Sequence, residues 1–173
     1  MTTSPILYET LPGGIARIVL NRPATRNAQD TAFLYALNEA LDRAAHDDAT
    51  KVIGLSANGP HFSSGHDVRE IDGHGNMSRH DTVGPWGGFG KPGAEAQYAR
   101  EQEIYLGFCE RWRNIPKPTL ALVHGKVMIG GLMLMWPCDL IVCSEDAEFL
   151  DHSVAMGVGG AEFFAHPWEM GIR

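Results

Sequence analysis

The 173-residue sequence lacks the features of several protein classes, and each absence narrows its function. It has only three cysteines and no CxxC spacing, which indicates reduced thiols rather than a disulfide framework. No apolar run reaches the ~18 residues of a membrane span, since the longest, residues 127–136, is about half that length and contains two glycines. The amino-terminal residues show no secretory signal pattern. We therefore expect a cytoplasmic protein without a membrane partner.

Positive charge is also scarce. The sequence has 14 Lys and Arg against 21 Asp and Glu, a net charge of −7. This balance argues against a dedicated nucleic-acid binder, which needs a basic face, but a few local cations could still hold an anionic ligand. Hydrophobic residues make up 44% and charged residues 20%, as in a folded domain with a substantial core.

Strand, turn and helix signals alternate along the chain, which predicts an α/β fold. The predicted strands are residues 6–10, 15–20, 51–57, 119–123, 139–144 and 148–154. Apolar spacing predicts one helix from about Asp30 and another over residues 95–115. The second helix should bury a stripe of Tyr98, Tyr105, Phe108 and Trp112. A short apolar helix should follow Gly130-Gly131 and end at Pro137.

Residues 72–93 show no periodicity and contain seven glycines. A long irregular segment inside a compact domain is typical of a lid or a binding loop. His61, His74 and His80 lie in or near it, but their spacing does not fit a metal site. We therefore expect no bound metal.

Four stretches carry motifs in a fixed order. They are residues 21–28 (NRPATRNA), residues 62–70 (FSSGHDVRE), the segment from Pro116-Lys117-Pro118 through Gly130-Gly131 to Cys138-Asp139-Leu140, and Ala147-Glu148-Phe149 with Met156-Gly157. In this order and spacing they resemble the crotonase, or enoyl-CoA hydratase/isomerase, superfamily. The resemblance covers one domain over residues 1–173. It implies a crotonase-like spiral of ββα repeats, an acyl-CoA substrate with no other cofactor, and a homo-oligomer, trimeric or hexameric.

The resemblance also implies that two backbone N–H groups hold the thioester oxygen, those of His66 and Gly130. One such donor stabilises a developing oxyanion by roughly 2.7–4 kcal/mol, and a helix start at Gly130 adds its positive end. The alternative is that Gly130-Gly131 only permits close helix packing. The His66 ring, beside Asp67, is either a site acid or part of a packed polar pair.

In the resembling family, two segments line the groove for coenzyme A. The corresponding residues here are Ala24, Thr25, Arg26, Ser64, Asp67, Val68 and Arg69. Arg26 carries a charge that could meet a phosphate, although it could equally be a solvated surface residue. Lys126 is a weaker candidate of the same kind.

The sequence departs from the family at its acid–base positions. Hydration of an enoyl thioester needs one carboxylate to activate water and another to deliver a proton. Those positions fall on Met133 and Ser153, and a third acidic position of some members falls on Ala161. Asp151 and Glu162 are nearby. Asp151 should share a side with Ser153 in an extended segment, so either carboxylate could replace the missing pair, or both could be ordinary polar residues.

A second departure concerns the C-terminal helical block of the family, which covers the acyl pocket and packs between subunits. The sequence ends without it, as a fragment or as a short form would. Apolar surface would then be uncovered, and we expect association or exchange of segments to compensate.

Three functions stay open. The first is an enzyme of the hydratase/isomerase type, in which Asp151 or Glu162 handles protons and the 72–93 loop covers the acyl end. The second is a non-catalytic acyl-CoA-binding protein, which Met133 and Ser153 favour. The third is another enolate reaction, such as that of a lyase or a thioester hydrolase. The acyl group itself is not specified.

Overall fold

Seven strands form two sheets in the part of the computed structural model that is described, residues 4–69, 80–157 and 162–171. The main sheet has the order β1-β2-β3-β4-β6, with β1 antiparallel to β2 and the other pairs parallel. Its strands are β1 (Ile6–Leu11), β2 (Ile15–Leu20), β3 (Val52–Ala57), β4 (Thr119–Val123) and β6 (Leu140–Cys143). The smaller sheet pairs β5 (Lys126–Met128) with β7 (Glu148–Leu150).

The helices pack against these sheets or follow their strands. They are α1 (Thr31–His46), α2 (Ala94–Glu101), α3 (Phe108–Arg113), α4 (Leu132–Met135) and α5 (His166–Met170). A π-helical turn, Gln102–Gly107, joins α2 to α3, and a 3₁₀ turn, Ile129–Gly131, leads into α4. A further 3₁₀ turn covers Pro23–Thr25.

The order strand, strand, helix recurs along the chain. It occurs in β1-β2-α1 and in β4-β5-α4, and between them β3 and α2 flank a segment in which Ser63 bridges to Val127 and His66 to Gln29. The predicted α/β class is confirmed. The first hairpin, helix α1 and the strands at residues 52–57 and 119–123 lie where the sequence predicts them.

Helix α1 forms the main apolar layer over the sheet. Its start is capped by Asp30, whose carboxylate accepts a hydrogen bond of 2.7 Å from the Phe33 N–H. Its inner face is then buried at helical spacing by Phe33, Leu34, Leu37, Leu41 and Ala44. Ile18, Ile53 and Ala121 of the sheet are fully buried in the same core cluster. The amphipathic pattern of the sequence therefore places this helix correctly.

Two elements were missed, and one strand is shorter than predicted. β5 has only three residues, and α5 has five, with Pro167 in its first turn, so neither is long enough to show a period. β7 ends at Leu150 rather than at residue 154. The reason is local, because the Asp151 carboxylate accepts the Ser153 N–H at 2.9 Å and the chain turns there.

The predicted apolar stripe of the long helix is wrong at Tyr98. Tyr105, Phe108 and Trp112 are buried, whereas Tyr98 is 55% exposed. The π-helical turn between Tyr98 and Phe108 holds an extra residue per turn, which rotates α2 relative to α3. A purely α-helical period cannot anticipate this change of register.

A buried carboxylate holds the described part of the predicted loop. Glu103 is fully buried, and it accepts the N–H groups of Val83 at 2.6 Å and Gly84 at 3.0 Å. The Tyr35 hydroxyl lies 3.4 Å from the same carboxylate, and burial together with the Glu103 charge raises the pKa of Tyr35. His80 stacks on the Tyr35 ring with centroids 4.1 Å apart. Residues 72–79, including His74, lie outside the described residues.

Apolar side chains are exposed on strands β4, β6 and β7 and on the chain that follows β7. They are Leu122, Leu140, Val142, Phe149, Leu150, Val154, Met156, Trp168 and Met170. Such a surface is compatible with the association expected above, and the oligomeric state stays a prediction. None of the helices in the described residues is long and apolar enough to cross a bilayer.

Replacing Glu103 by Gln should destabilise the fold by about 1–3 kcal/mol, because the amide nitrogen cannot accept and a buried N–H loses its partner. Urea unfolding would measure this loss. Glu95→Gln is the matched control, since Glu95 forms an exposed ion pair with Lys91 worth at most about 1 kcal/mol. Equal losses in the two variants would contradict the role assigned to Glu103.

Candidate active site

Three chain segments meet beside the smaller sheet. The 63–67 segment lies between the chain at Gln29 and the chain at Val127, through parallel bridges to both. The Gln29 N–H donates to the Gly65 carbonyl, and the Asp67 N–H donates to the Gln29 carbonyl, each at 2.9 Å. On its other side this segment accepts the Met128 N–H at Ser63, at 3.0 Å. The 63–67 segment is thereby hydrogen-bonded on one side to the chain at Gln29 and on the other to the chain before Gly130.

Two buried amide side chains fix this meeting point. Asn27 is fully buried, and its Nδ2 donates to three carbonyl oxygens at 2.9–3.1 Å, those of Asn58, His61 and Phe62. Gln29 is 2% exposed, and its Nε2 donates to the Gly130 carbonyl at 2.9 Å and the Ser63 hydroxyl at 3.1 Å. Neither role is predicted from the sequence, although Asn27 lies inside the first motif.

The turn at Gly65 brings the chain just before His66 close to the backbone amide of Gly130. Gly65 has φ 89°, and a Cβ there would lie 2.7 Å from the Met128 carbonyl oxygen and 3.3 Å from the Gly130 nitrogen. Only glycine tolerates both the angle and the approach. Ile129, just before Gly130, has φ 46°, and a non-glycine residue in this region stores about 1–3 kcal/mol of strain. Such strain is typical of functional sites.

The N–H groups of His66 and Gly130 are not used by these contacts. The bridge to Gln29 uses the Gly65 carbonyl and the Asp67 N–H, so the His66 N–H points away from Gln29. Gly130 is the second residue of the turn that begins at Ile129, and the first N–H groups of a helical turn have no acceptor within it. Two backbone donors are therefore available near each other.

The His66 ring packs tightly over Gly130. A Cβ on Gly130 would lie 2.5 Å from the ring Nε2 and 2.8 Å from Nδ1. On the ring, Tyr105 stacks with a centroid distance of 3.9 Å and an interplanar angle of 27°. Nε2 lies 3.2 Å from Oε1 of Glu162. The structure thus brings together three predicted residues, His66, Gly130 and Glu162.

A cavity of about 250 Å³ opens beside this ring. It is lined by Ser64, His66, Val68, Ile129, Ser153, Met156 and Glu162. Apolar side chains supply part of its wall, and His66 and Glu162 are its ionisable groups among the described residues. Such a mixture suits an organic ligand that carries a few polar atoms.

The two substituted acid–base positions have different surroundings. Met133 is 2% exposed, and its carbonyl accepts the Cys109 thiol at 3.3 Å. Ser153 lines the cavity, and its hydroxyl donates to Oδ1 of Asp151 at 2.5 Å. The Ser153 hydroxyl therefore links the Asp151 carboxylate to the cavity. The third position, Ala161, lies outside the described residues.

Asp151 has its own partners away from the cavity. Its Oδ2 lies 3.3 Å from Nε2 of His166, and about one third of its side chain is exposed. Burial raises its pKa, but the hydrogen bonds from Ser153 outweigh this and lower the pKa below its usual value. The extended geometry expected for residues 151–153 does not form. A proton-handling role for Asp151 stays a prediction.

A second cavity, also of about 250 Å³, adjoins the first at Ser64. It is lined by Arg26, His61, Ser64, Lys126 and Met128. Ser64 lines both cavities, so the two adjoin at this residue, and the second cavity has two cationic side chains in its wall, Arg26 and Lys126. Ser64 is fixed there through its N–H, which donates to the Arg26 carbonyl at 2.9 Å.

The other residues predicted to bind coenzyme A lie near these two cavities and have different partners. Asp67 is bound by Arg69 at 2.6 Å and Arg22 at 3.4 Å, and the Arg69 hydrogen bonds lower the pKa of Asp67 to about 2. Val68 lines the first cavity. Ala24 and Thr25 lie on the 3₁₀ turn before Arg26. Their ligand contacts stay predictions.

Of the histidines considered for a metal, the two that are described, His61 and His80, have separate partners. His61 accepts the Lys126 N–H through Nδ1 at 3.2 Å, and His80 stacks on Tyr35. In the ranges that are described, three or more His, Cys, Asp or Glu side chains nowhere gather in a way that could hold a metal ion.

Comparison with known proteins places this geometry among related chains. A family model described as enoyl-CoA hydratase/isomerase matches residues 15–161. A Mycobacterium tuberculosis protein named "Putative enoyl-CoA hydratase EchA13" is 43% identical over 97% of this chain and 54% of its own length. The rat protein "Enoyl-CoA hydratase domain-containing protein 3, mitochondrial" is 33% identical over 84% of this chain and 42% of its own.

A solved structure agrees with the fold. The crystal structure of a probable enoyl-CoA hydratase from Mycobacterium smegmatis matches with a TM-score of 0.82 and 42% identity, over 99% of this chain and 61% of that chain. The chain spans about half the length of the curated relatives it matches, 54% and 42% for the two above.

Replacing Gly130 by Ala should displace the His66 ring and destabilise the fold by about 1–3 kcal/mol, as overpacking does. Thermal unfolding would give the stability, and the NMR shifts of the His66 ring would report its displacement. Gly54→Ala is the matched control, because a Cβ on Gly54 would meet nothing within 4 Å. An unmoved His66 ring in the Gly130 variant would contradict the packing described.

Proposed function

Because the chain belongs to the enoyl-CoA hydratase/isomerase family, we propose that it binds an acyl-CoA thioester and stabilises the enolate formed from it. Membership rests on the family model over residues 15–161 and on the 43% identical relative. It agrees with the crotonase-like fold that the motifs predicted. The activity itself is a proposal, since this chain spans only part of its relatives.

One observation carries the proposal: beside the cavity, the amide N–H groups of His66 and Gly130 have no backbone acceptor among the described residues. Gly65 allows the two strands of chain to approach, and the buried Gln29 amide holds the Gly130 carbonyl at 2.9 Å. Donors fixed in this way need no reorganisation when negative charge develops on a thioester oxygen. We assign them the role of an oxyanion hole.

The two cavities that adjoin at Ser64 support coenzyme A as the carrier of the acyl group. Arg26 and Lys126 line one of them, where a phosphate would gain charge-assisted hydrogen bonds. The acyl end would lie against Val68, Ile129 and Met156. No cofactor besides this carrier is part of the proposal, nor is a metal.

Glu162 is the carboxylate that we assign to proton transfer. It lines the cavity directly, with 9% of its side chain exposed. In the proposed step the α-carbon C–H bond breaks and an O–H bond forms on Glu162. The electron pair moves to the thioester oxygen, which becomes an enolate between the two amides. Asp151 is the alternative, acting through the Ser153 hydroxyl.

A non-catalytic acyl-CoA-binding protein is the second candidate. Buried Met133 and hydrogen-bonded Ser153 occupy the family's two carboxylate positions, and neither side chain can do carboxylate chemistry. Isomerisation, a lyase reaction or thioester hydrolysis could follow from the same enolate-stabilising site. A trimeric or hexameric assembly and a cytoplasmic location also remain proposals.

Replacing both Arg26 and Lys126 by Ala should weaken the binding of butyryl-CoA by about 10-fold or more, since two charge-assisted contacts are lost. Calorimetry would measure the dissociation constant. The matched ligand is the N-acetylcysteamine thioester of butyrate, which has no phosphate and should bind both proteins alike. An equal loss for both ligands would contradict a phosphate role.

Deuterium exchange at the α-carbon of butyryl-CoA tests enolate formation without assuming a final product. Glu162→Gln should slow this exchange by about 10²–10⁴-fold, the range of general base catalysis, and should leave thioester binding unchanged. Asp151→Asn is the control and should slow it far less. If Asp151→Asn slows exchange more than Glu162→Gln does, Asp151 is the proton carrier. If the unaltered chain binds the thioester without exchange, the second candidate, a non-catalytic acyl-CoA-binding protein, is favoured.

A further inference from the structure

We propose that the His66 imidazole is a positioning residue that fixes the Glu162 carboxylate in the cavity. This inference rests on the proposed function of Glu162 as the proton carrier. It assigns to the side chain of His66 a role separate from that of its backbone N–H.

The His66 ring is held tightly by its neighbours. Tyr105 covers one face at 3.9 Å between centroids. The ring packs so closely on Gly130 that a Cβ there would lie 2.5 Å from Nε2. Only 14% of the His66 side chain is exposed. A ring packed in this manner has little freedom, so it can hold its partner in one place.

The hydrogen bond between His66 and Glu162 has a defined direction. An ionised carboxylate can only accept, so His66 Nε2, at 3.2 Å from Oε1, carries the hydrogen. Nδ1 is buried without a hydrogen-bond partner among the described residues. A second proton on Nδ1 would be a buried donor without an acceptor, which is costly. The ring therefore acts as a neutral donor that orients Glu162 without neutralising its charge.

The contact with His66 uses only one oxygen of the Glu162 carboxylate, Oε1. Because Oε2 has no hydrogen-bond partner among the described residues, it can take the α-proton of the thioester. Glu162 lies outside the strands and helices of the described residues, four positions before helix α5 begins at His166. A carboxylate on irregular backbone needs a partner to fix it, and His66 supplies one from across 96 positions of sequence.

Position 66 allows a clean test, since every substitution except proline retains the backbone N–H. His66→Ala removes the imidazole donor, and His66→Gln supplies an amide donor of similar length. In ¹H–¹⁵N NMR of the unaltered chain, we expect the tautomer with hydrogen on Nε2. Glu162→Gln should shift the His66 ring signals. A hydrogen on Nδ1 would overturn the inference. His66 ring signals that do not shift in Glu162→Gln would also overturn it. Both results can be read whether or not a thioester binds.

Exchange kinetics give the second readout. His66→Ala should slow α-proton exchange of butyryl-CoA by about 10–100-fold, as expected for a misplaced catalytic group, with an unchanged dissociation constant. His66→Gln should restore part of the rate. The double variant His66→Ala/Glu162→Gln should be no slower than Glu162→Gln alone, because the two residues act as a unit.

The outcomes separate the inference from the proposed function. No thioester binding or no exchange by the unaltered chain would count against the proposed function, and the NMR result would still decide the His66–Glu162 contact. Exchange that His66→Ala leaves unchanged would overturn the inference alone. Additive losses in the double variant, or a Gln variant as slow as the Ala variant, would also overturn it, because either result means that the ring acts by itself.

Discussion

The side-chain amide of Gln29 is the interaction on which the site depends. Its Nε2 holds the Ser63 hydroxyl and the Gly130 carbonyl, while its backbone bridges to the segment around His66. One residue thereby joins three parts of the chain. Its Oε1 is buried without a partner among the described residues, which costs stability. The Gln29 amide therefore positions the backbone around Gly130 more than it stabilises the fold. It fixes the turn that carries the Gly130 N–H.

The sequence predicts the elements with regular periods and the residues inside motifs. Helix α1, with its cap at Asp30, and the parallel strands follow from apolar spacing. His66 and Gly130 follow from the family motifs, and Glu162 is a candidate because it is an acidic residue one position after the family's third acidic position. The π-helical turn was not predictable, because one extra residue leaves no mark on composition. Nor were Asn27, Gln29 and Glu103, since a polar residue looks the same in sequence whether it faces solvent or is buried.

The cavity has an uneven supply of acid–base groups. In the described residues, Glu162 is the one carboxylate that lines it, and Asp151 reaches it only through Ser153. A single carboxylate suits a reaction that removes and returns one proton. Hydration also requires activation of a water molecule, for which Asp151 with Ser153 would have to serve. In the proposed function, Glu162 and Asp151 would replace the family's usual pair of carboxylates, and the two differ in their access to the cavity.

The contacts that define the site join residues far apart in sequence. Gln29 and Gly130 are separated by 101 positions, and His66 and Glu162 by 96. Contacts of this range form only after long segments have closed, and their closure entropy slows folding. A partly folded or nascent chain could hold the β1–β2 hairpin and helix α1 long before it holds any oxyanion donor. Ligand binding would therefore appear late in refolding, after most of the helical signal has returned.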